Sequence, residues 1–382
     1  MNVAVIHPLK HHAYYSMAGV MESGENVIGL FGYYDKGDLL DKLVSRTKWK
    51  KQLAGYKYDK ISNYVKTNLI IKFLFLLAKA KPQYFQRIYD WAFETWAIHN
   101  LKDIDCIHVL QDYENRLIRA SKEKNIKIVY EQILAYCAER YVNVDAALED
   151  KNQKENLKMA DYILVASEFV KDSIVEMNDA ADIDGKITII PYGADIQHFS
   201  YKERAYVKGG ELKLFTVASV SRRKGMDYLL EAMEKMKNLP VKLFIVGALS
   251  AKEQYLAEKM HVMKNVEYLG VIPHEQISAY YEKYDVFILP SLAEGSSLSI
   301  YEALSSGMPC IVTKNAGSVV VNEIDGFIVD VKSTESIISA VNKMLDCPEL
   351  VMNMSLNARE TIKKYTWDEY EKKVALLYQS MV

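Results

Sequence analysis

The sequence is poor in cysteine and proline and has no long apolar run, and these absences exclude several classes of protein. Its four cysteines are widely spaced and fit no metal-binding pattern, which indicates a reducing compartment rather than a disulfide framework. No stretch approaches the roughly 18 apolar residues of a membrane-spanning helix. The segment MNVAVIHPLKHHAYY has too short an apolar run for a cleavable signal peptide. We therefore expect a cytoplasmic protein.

Charge and glycine spacing exclude two further classes. The formal net charge is -2, which gives the whole molecule no bias towards nucleic acid. No G-x-G-x-x-G follows a predicted strand, and this argues against a nicotinamide-dependent dehydrogenase. What remains is an ordinary globular composition, and 382 residues suit two domains of about 150 to 200 residues each.

Short apolar runs alternate with helix-length stretches along the whole chain. Runs such as IDCIHVL, LKLFTVAS and DVFILPS suit parallel strands that are covered on both faces. The alternation predicts an α/β fold with two doubly wound, Rossmann-like domains. The charged, glycine-containing stretch YKERAYVKGGEL separates them, so we place the domains at residues 1–205 and 206–366. A last helix over 367–382 could pack on either domain, including back on the first.

The segment AEGSSLSIYEALSSGMPC contains two carboxylates eight residues apart. Glu294 follows the predicted strand DVFILPS, and Glu302 lies in the first turns of the next helix. Open α/β sheets bind ligands at this strand edge, where ionised carboxylates can accept hydrogen bonds from sugar hydroxyls. Alternatively, Glu294 only favours the helix dipole and Glu302 is a solvated surface residue. Backbone N–H groups suited to phosphate follow at Gly295, Ser296, Ser297 and Leu298.

A second polar turn ends another strand of the same half. The strand LFTVAS is followed by Arg222, Arg223 and Lys224 before a helix begins. Three cations at such a turn suit a diphosphate, although a charge run of this kind is also common on a solvated surface. One basic and one acidic strand-end site in one domain together indicate a pocket for a nucleotide diphosphate that carries a hydroxylated group.

The order of these motifs resembles the donor domain of retaining glycosyltransferases of family four. The resemblance is carried by KG, FIVG, VEYLG, YDVFILPS, the E-x7-E spacing and SSGMPCIVT, over about residues 213–368. In the first half, NLKMADYILVASEFVKDSI followed by ITIIPYGADIQHF is similar to the same family. The resemblance implies the GT-B fold, in which two Rossmann-like domains face each other across a cleft. It also implies a nucleotide-diphosphate sugar as donor substrate and, as in most of these enzymes, no metal or other cofactor.

The same resemblance implies roles for individual residues. Glu302 would hold the donor ribose, and Glu294 the hydroxyls of the transferred sugar. Lys224, with Arg222 or Arg223, would neutralise the departing diphosphate, so that Glu294, Lys224 and Arg222 are the candidate catalytic residues. The remaining donor contacts would come from the loops at Gly247 and Ile272, which frame the base, and from the backbone of Gly295, Ser296, Ser297 and Leu298.

The first half departs from the family pattern at two places. The glycine-rich first loop is replaced by HPLKHHAYYSMAG, where Lys10, His11 and His12 either approach the diphosphate or acceptor or lie on the surface. The histidine expected after the fourth or fifth strand is absent, and Glu131 falls there. His108, at the end of IDCIHVL, is the nearest substitute, and its alternative role is structural. We take these five residues as candidates for the acceptor side of the cleft.

Residues 42–90 interrupt the α/β alternation and are strongly basic. They contain twelve Lys or Arg and two acids, a local net charge of +10, around the apolar run NLIIKFLFLLAKAK. A basic amphipathic segment can lie in an anionic membrane interface. The alternative is a core-facing helix whose lysines reach out to water.

The function predicted from these motifs is transfer of a sugar to a glycan or lipid-linked acceptor, with retention of anomeric configuration, in surface polysaccharide or glycan biosynthesis. We expect it in the cytoplasm or at the inner face of the membrane, and with no nucleic acid partner. The alternatives are a sugar-nucleotide epimerase or hydrolase of the same fold, and a non-catalytic nucleotide-sugar-binding scaffold. KDIDC and ADIDG match the D-x-D metal–sugar motif of another transferase fold, but neither lies in the donor half, and we interpret both as chance.

Overall fold

The structure, a computed structural model, contains two parallel β-sheets covered by helices. It describes residues 1–9, 12–47, 49, 53, 56–111, 115–136, 138–142, 151–176, 183–249 and 252–381. The strands within these ranges are β1 Asn2–His7, β2 Asn26–Phe31, β3 Val65–Lys66, β4 Cys106–Leu110, β5 Lys127–Gln132, β6 Tyr162–Val165, β7 Ile187–Ile189, β8 Leu212–Val217, β9 Val241–Val246, β10 Val266–Gly270, β11 Val286–Leu289, β12 Cys310–Thr313 and β13 Gly326–Val329.

The helices alternate with these strands. In the first half they are α1 Ala13–Glu22, α2 Leu39–Val44, α3 Leu69–Ala80, α4 Pro82–His99, α5 Asn115–Glu123, α6 Glu139–Val142, α7 Lys151–Met159 and α8 Glu168–Val175. In the second half they are α9 Met226–Lys235, α10 Gln254–Val262, α11 His274–Tyr281, α12 Leu298–Ser305, α13 Thr334–Asp346, α14 Pro348–Ile362 and α15 Trp367–Ser380. No helix in the described part of the chain is long and apolar enough to cross a membrane.

Each sheet is doubly wound. The strand order is β3-β2-β1-β4-β5-β6-β7 in the first sheet and β10-β9-β8-β11-β12-β13 in the second, with parallel pairing throughout. The predicted α/β fold with two such sheets is confirmed. The boundary that we predict near residue 205 falls in the stretch between the end of β7 and the start of β8.

The apolar runs of the strands reflect burial on both faces. In β1, Val3 and Val5 pack in one core cluster, whereas Ala4 and Ile6 pack in another. Successive side chains of a strand point to opposite faces, so a sheet with helices on both sides needs apolar residues at every position. This packing leaves the polar residues at the carboxyl ends of the strands, where the loops of the two halves meet.

The chain passes between its two halves twice, and the two passages lie side by side. The first follows β7, and the second precedes α15. The backbone N–H of Ala194 donates to the carbonyl oxygen of Tyr365 at 2.9 Å, and Ala194 also forms an isolated bridge with Thr366. The terminal helix α15 then packs on α1, where the hydroxyls of Ser16 and Tyr370 are 2.8 Å apart.

The helix α3 carries an ion pair that the sequence pattern does not predict. Lys72 is completely buried, and its Nζ lies 2.7 Å from Asp38 Oδ2 and 2.6 Å from Asp41 Oδ1. Partial burial raises the pKa of Asp38, but the hydrogen bond and charge of Lys72, together with the hydrogen bond from the Asp41 backbone, outweigh this and lower the pKa below its ordinary value. The expectation that the lysines of this segment reach water or lipid is therefore wrong for Lys72, which faces inwards and holds α2 against α3.

Replacing Lys72 by alanine tests this ion pair. The change leaves the buried Asp41 carboxylate without its cation, so we expect the free energy of unfolding to fall by about 3 kcal/mol in urea titrations. The matched control is Lys79→Ala on the same helix, at an exposed position, which should change it by less than about 0.5 kcal/mol. If both substitutions lowered the free energy of unfolding equally, the buried ion pair would not be a specific source of stability.

Candidate active site

Glu294 is held by two cations at the carboxyl edge of the second sheet. Its Oε1 lies 2.6 Å from Arg223 Nη1 and 2.7 Å from Lys224 Nζ. The Glu294 and Lys224 side chains are both largely shielded from solvent, with residue exposures of 6% and 9%. Burial lowers the pKa of Lys224, and the contact with Glu294 opposes this shift. The three residues predicted on two separate strand ends therefore form one desolvated cluster.

Gly225 allows the two strand-end loops to lie in contact. It adopts the left-handed conformation, with φ +74°, and a Cβ atom there would overlap the carbonyl oxygen of Pro290. Two hydrogen bonds then join the loops: Leu292 N–H donates to the carbonyl of Arg223 at 2.8 Å, and Arg223 Nη1 donates to the carbonyl of Ala293 at 3.0 Å. The arginine is thus fixed at both its backbone and its side chain.

Arg222 is turned away from Glu294. Its Nε lies 3.4 Å from Asp227 Oδ2, and its backbone N–H donates to Glu253 Oε1 at 2.7 Å. Arg223, and not Arg222, is therefore the arginine that contacts Glu294 together with Lys224. Arg222 and Arg223 both line a cleft of about 640 Å³ that also reaches Glu139 of the first half. A direct catalytic role for Arg222 stays a prediction.

The loop after Glu294 is pressed against the first half of the chain. A Cβ atom on Gly295 would overlap the carbonyl oxygen of Ile133, in the loop after β5. From the start of α8, Ser167 Oγ donates to the carbonyl of Gly295 at 2.6 Å. Glycine at this position therefore lets the two halves meet directly beside the carboxylate.

The next three residues lead into α12. Ser296 Oγ donates to the carbonyl of Gly317 at 2.7 Å, and Ser297 occupies the N-cap position of the helix. Leu298, the first helical residue, is 39% exposed and lines a cleft of about 330 Å³ together with Glu302. The helix start and the second carboxylate thus face the same space.

Glu302 is oriented by residues of α11. The hydroxyl of Tyr281 donates to Glu302 Oε2 at 2.8 Å, and His274 Nε2 lies 3.6 Å from Oε1. Across the cleft, the wall is formed by residues of the first half and of the terminal helix, including His12 and Trp367. One carboxylate oxygen is therefore fixed by a buried phenol in a cleft between the halves.

The loops predicted to frame a base lie at the same sheet edge. The carbonyl of Gly247, after β9, accepts a hydrogen bond from the Tyr268 hydroxyl at 2.8 Å. Ile272, after β10, is half-buried and precedes His274 by two residues. Because His274 lies near Glu302, the loop of Ile272 is next to the cleft.

In the first half, a buried carboxylate joins the candidate histidines. Glu131 Oε1 contacts His12 Nε2, and its Oε2 lies 3.2 Å from His108 Nε2. The hydroxyl of Tyr370 donates to Glu131 Oε1 at 3.3 Å, and that of Tyr378 lies 3.2 Å from His108 Nδ1. Burial raises the pKa of Glu131, but His12 and His108 outweigh it and hold the pKa well below its ordinary range. Of this cluster, His12 reaches the cleft, whereas His108 is completely buried in β4.

Lys10 and His11 lie outside the described residues, as does Asp182 of ADIDG. Asp105 of KDIDC accepts a hydrogen bond from the backbone of Asn2 at 2.7 Å, at the amino-terminal edge of the first sheet. Among the described residues, no group of three or more His, Cys, Asp or Glu side chains is placed to hold a metal ion.

Three residues of the site are missing from the sequence interpretation. Ser167 caps α8 by accepting from Val170 N–H, and this capping is all that its sequence context indicates. Tyr281 and His274 lie in a predicted helix whose pattern marks only buried and exposed positions. Their contacts with Gly295 and Glu302 depend on tertiary packing, which a single sequence does not display.

The sequence relationship is clearest in the half that contains both carboxylates. Residues 200–361 match the family model of glycosyl transferases group 1. Over these residues the chain is similar to that family. The resemblance found in the sequence is thereby confirmed, and the match includes all the candidate donor-binding residues named above.

Two curated relatives extend the similarity. The alpha-monoglucosyldiacylglycerol synthase of Acholeplasma laidlawii is 24% identical over 261 residues, which cover 63% of this chain and 63% of that protein. The UDP-Gal:alpha-D-GlcNAc-diphosphoundecaprenol alpha-1,3-galactosyltransferase of Escherichia coli is 34% identical over 197 residues, which cover 46% of this chain and 49% of that protein. The matched residues thus span 63% of the length of the first relative and 49% of the length of the second, less than two thirds in each case.

Solved structures match the whole chain. Anabaena Alr3699/HepE in complex with UDP and glucose superposes with a TM-score of 0.66 at 14% identity, covering 100% of both chains. Sucrose-phosphate synthase of Thermosynechococcus elongatus gives a TM-score of 0.65 at 17% identity, covering 100% of this chain and 98% of that one. Identities this low establish the fold alone, and they confirm the GT-B fold expected from the resemblance.

A buried histidine next to the site makes stability depend on pH. His7, at the end of β1, is almost completely inaccessible, and burial lowers its pKa from 6.5 to about 4. The unfolded chain therefore binds this proton more readily, so the stabilisation is present above pH 6.5 and is lost as the pH falls towards 4. For His7 alone we expect a loss of about 2 kcal/mol in the free energy of unfolding between about pH 7 and pH 4.5.

Urea titrations at both pH values measure this loss. His7→Asn should reduce the pH dependence by about 2 kcal/mol, because the titrating group is removed. The control is His261→Asn, at an exposed position of α10, which should leave the pH dependence of the free energy of unfolding unchanged. If the free energy of unfolding of His7→Asn depended on pH as strongly as that of the wild type, His7 would not be the group responsible.

Proposed function

We propose that the protein is a retaining hexosyltransferase that moves a sugar from a nucleotide-diphosphate donor to a glycan or lipid-linked acceptor, in surface polysaccharide or glycan biosynthesis. The observation that carries the proposal is the cluster of Glu294 with Arg223 and Lys224, in a group 1 domain whose Glu302 faces a cleft between the halves. Acidic groups suited to sugar hydroxyls and basic groups suited to a diphosphate thus lie within one site.

The second half would bind the donor. Arg223 and Lys224 both contact Glu294 Oε1, so a hydroxyl of the transferred sugar would bond Oε2, and the other N–H groups of the two cations would bind the diphosphate. Cations fixed in a desolvated site stabilise the charge that develops on the leaving group. Glu302 would hold the ribose, with each charge-assisted hydrogen bond contributing about 1.5 to 3 kcal/mol. Because these cations supply the positive charge, we expect turnover without a metal.

The first half would bind the acceptor. His12 lies across the cleft from Glu302, and Glu131 holds its Nε2, so its imidazole ring is oriented where it could meet a phosphate or an acceptor hydroxyl. Retention would follow from displacement on one face of the sugar, with the leaving phosphate helping to deprotonate the acceptor. The names of the two relatives support a lipid-linked acceptor, because they contain diacylglycerol and diphosphoundecaprenol.

Nucleotide binding is the first test. We expect one diphosphate among UDP, GDP, ADP and dTDP to raise the melting temperature by roughly 5 to 10 °C at a hundredfold excess over its dissociation constant. UDP is the first choice, since the E. coli relative is named for UDP-Gal and Anabaena HepE was solved with UDP. Glu302→Ala should abolish the rise, whereas Glu258→Ala, at an exposed position of the same half, should keep it.

The catalytic cluster is tested by turnover of the corresponding nucleotide sugar. Glu294→Gln should lower kcat by about a hundredfold or more, because it removes both the sugar contact and the anchor of the two cations. Arg223→Ala and Arg222→Ala form a matched pair of neighbours. Since Arg223 contacts Glu294 and Arg222 contacts Asp227, we expect the larger loss from Arg223→Ala.

The outcomes also separate the rival functions. Nucleotide binding without turnover of any donor would favour a scaffold. Donor turnover with no dependence on an acceptor would favour an epimerase or a hydrolase. Full activity of Glu294→Gln would overturn the proposed site.

A further inference from the structure

Two successive helices of the first half expose large apolar side chains. α3 and α4 are joined at Lys81 and pack against each other, with the rings of Phe75 and Tyr89 centred 5.7 Å apart. Their inner faces enter the same core cluster, so their outer faces are turned away from it. Six apolar side chains on these helices are each at least half exposed: Leu69, Ile70, Phe73, Tyr84, Ile88 and Trp91.

The spacing of these side chains places them in one stripe on each helix. On α4, Tyr84, Ile88 and Trp91 follow one another at intervals of four and three residues, which is the repeat of a single helix face. On α3, Ile70 and Phe73 are three residues apart. Scattered apolar residues are ordinary on a protein surface, but two stripes on packed neighbours mark an interaction surface.

Exposed cations accompany both stripes. Lys66 precedes α3, Lys79 and Lys81 lie at the junction of the two helices, and Arg87 lies within the α4 stripe. Lys79, Lys81 and Arg87 form no ion pair with another described residue. These charges belong to the segment 42–90, whose net charge is +10. Lys72 does not contribute, since Asp38 and Asp41 neutralise it in the interior.

We propose that the outer face of α3 and α4 binds an anionic lipid bilayer. The stripes would enter the boundary between headgroups and acyl chains, and the cations would contact the headgroup phosphates. Trp91 and Tyr84 suit this position, because their rings are apolar at one end and polar at the other. This proposal goes beyond the proposed catalytic function and does not depend on it.

Charge complementarity favours a bilayer over a second copy of the chain. A symmetric dimer through this face would bring Lys79, Lys81 and Arg87 towards the same basic surface of the partner, so that like charges would face each other. An anionic lipid surface supplies the missing negative charge. A lipid bilayer accommodates both the apolar stripes and the cations, and binding to it requires no second protein chain.

Co-sedimentation of the purified full chain with vesicles tests the proposal. We expect binding to vesicles of equal parts phosphatidylcholine and phosphatidylglycerol, weak binding to phosphatidylcholine alone, and loss of binding at high salt. The double variant Ile70→Glu/Phe73→Glu and the triple variant Lys79→Glu/Lys81→Glu/Arg87→Glu should each weaken binding about tenfold or more. The matched control is Val207→Glu/Val262→Glu, at positions 76% and 77% exposed in other parts of the chain, which should bind like the wild type.

Fluorescence of Trp91 gives a second, local measurement. Tryptophan emission should shift to shorter wavelength on mixing with the anionic vesicles, and Trp91→Phe should remove most of that shift while the protein still sediments. Thermal unfolding of each variant confirms that it is folded, as expected for substitutions at exposed positions.

Three results would overturn the proposal. The first is absence of wild-type binding to anionic vesicles. The second is unchanged binding of both surface variants. The third is a wild-type dimer that Ile70→Glu/Phe73→Glu converts to a monomer, because this would assign the face to self-association.

Discussion

The first half of the molecule depends on the buried carboxylate of Glu131. An ionised carboxylate in an apolar interior is tolerated only when its oxygens are bonded to cations or donors. Those partners come from separate parts of the chain: His12 from the loop after β1, His108 from β4 and Tyr370 from the terminal helix. Because all three residues bond to Glu131, the loop after β1 and the helix α15 are held against the first sheet, and His12 is fixed at the cleft.

The same principle is used on the other side of the cleft. Glu294 holds Arg223 and Lys224 in a region from which solvent is largely excluded, just as Glu131 holds two histidines. Groups that are already oriented before a ligand arrives need little reorganisation when charge develops. The two halves therefore contribute unequal walls, one with a carboxylate that orients cations and one with a carboxylate that orients histidines.

The sequence predicts those features that depend on local periodicity. The strands are continuous apolar runs because both faces of each sheet are covered, and the E-x7-E segment marks a strand end followed by a helix. It does not predict which way a side chain turns. Arg222 and Arg223 are neighbours in a short 3-10 turn, and only the packing of the turn against the loop after β11 brings Arg223 to Glu294. Likewise, Lys72 looks like any lysine of a basic helix until Asp38 and Asp41 are folded against it.

The two side-by-side passages between the halves constrain how the cleft can open. The passages are joined by the hydrogen bond between Ala194 and Tyr365. We therefore expect the two halves to rotate about the line on which the passages lie and to resist twisting about other axes. The cleft between His12 and Glu302 includes Ala194 and Trp367 in its wall, so it lies beside this line, and we expect its width to change little. The larger cleft at Arg222 and Glu139 lies away from the axis. We therefore expect opening to move the Glu302 end of the site least and the far wall most, so that a ligand can stay bound at one end while the other end is exchanged.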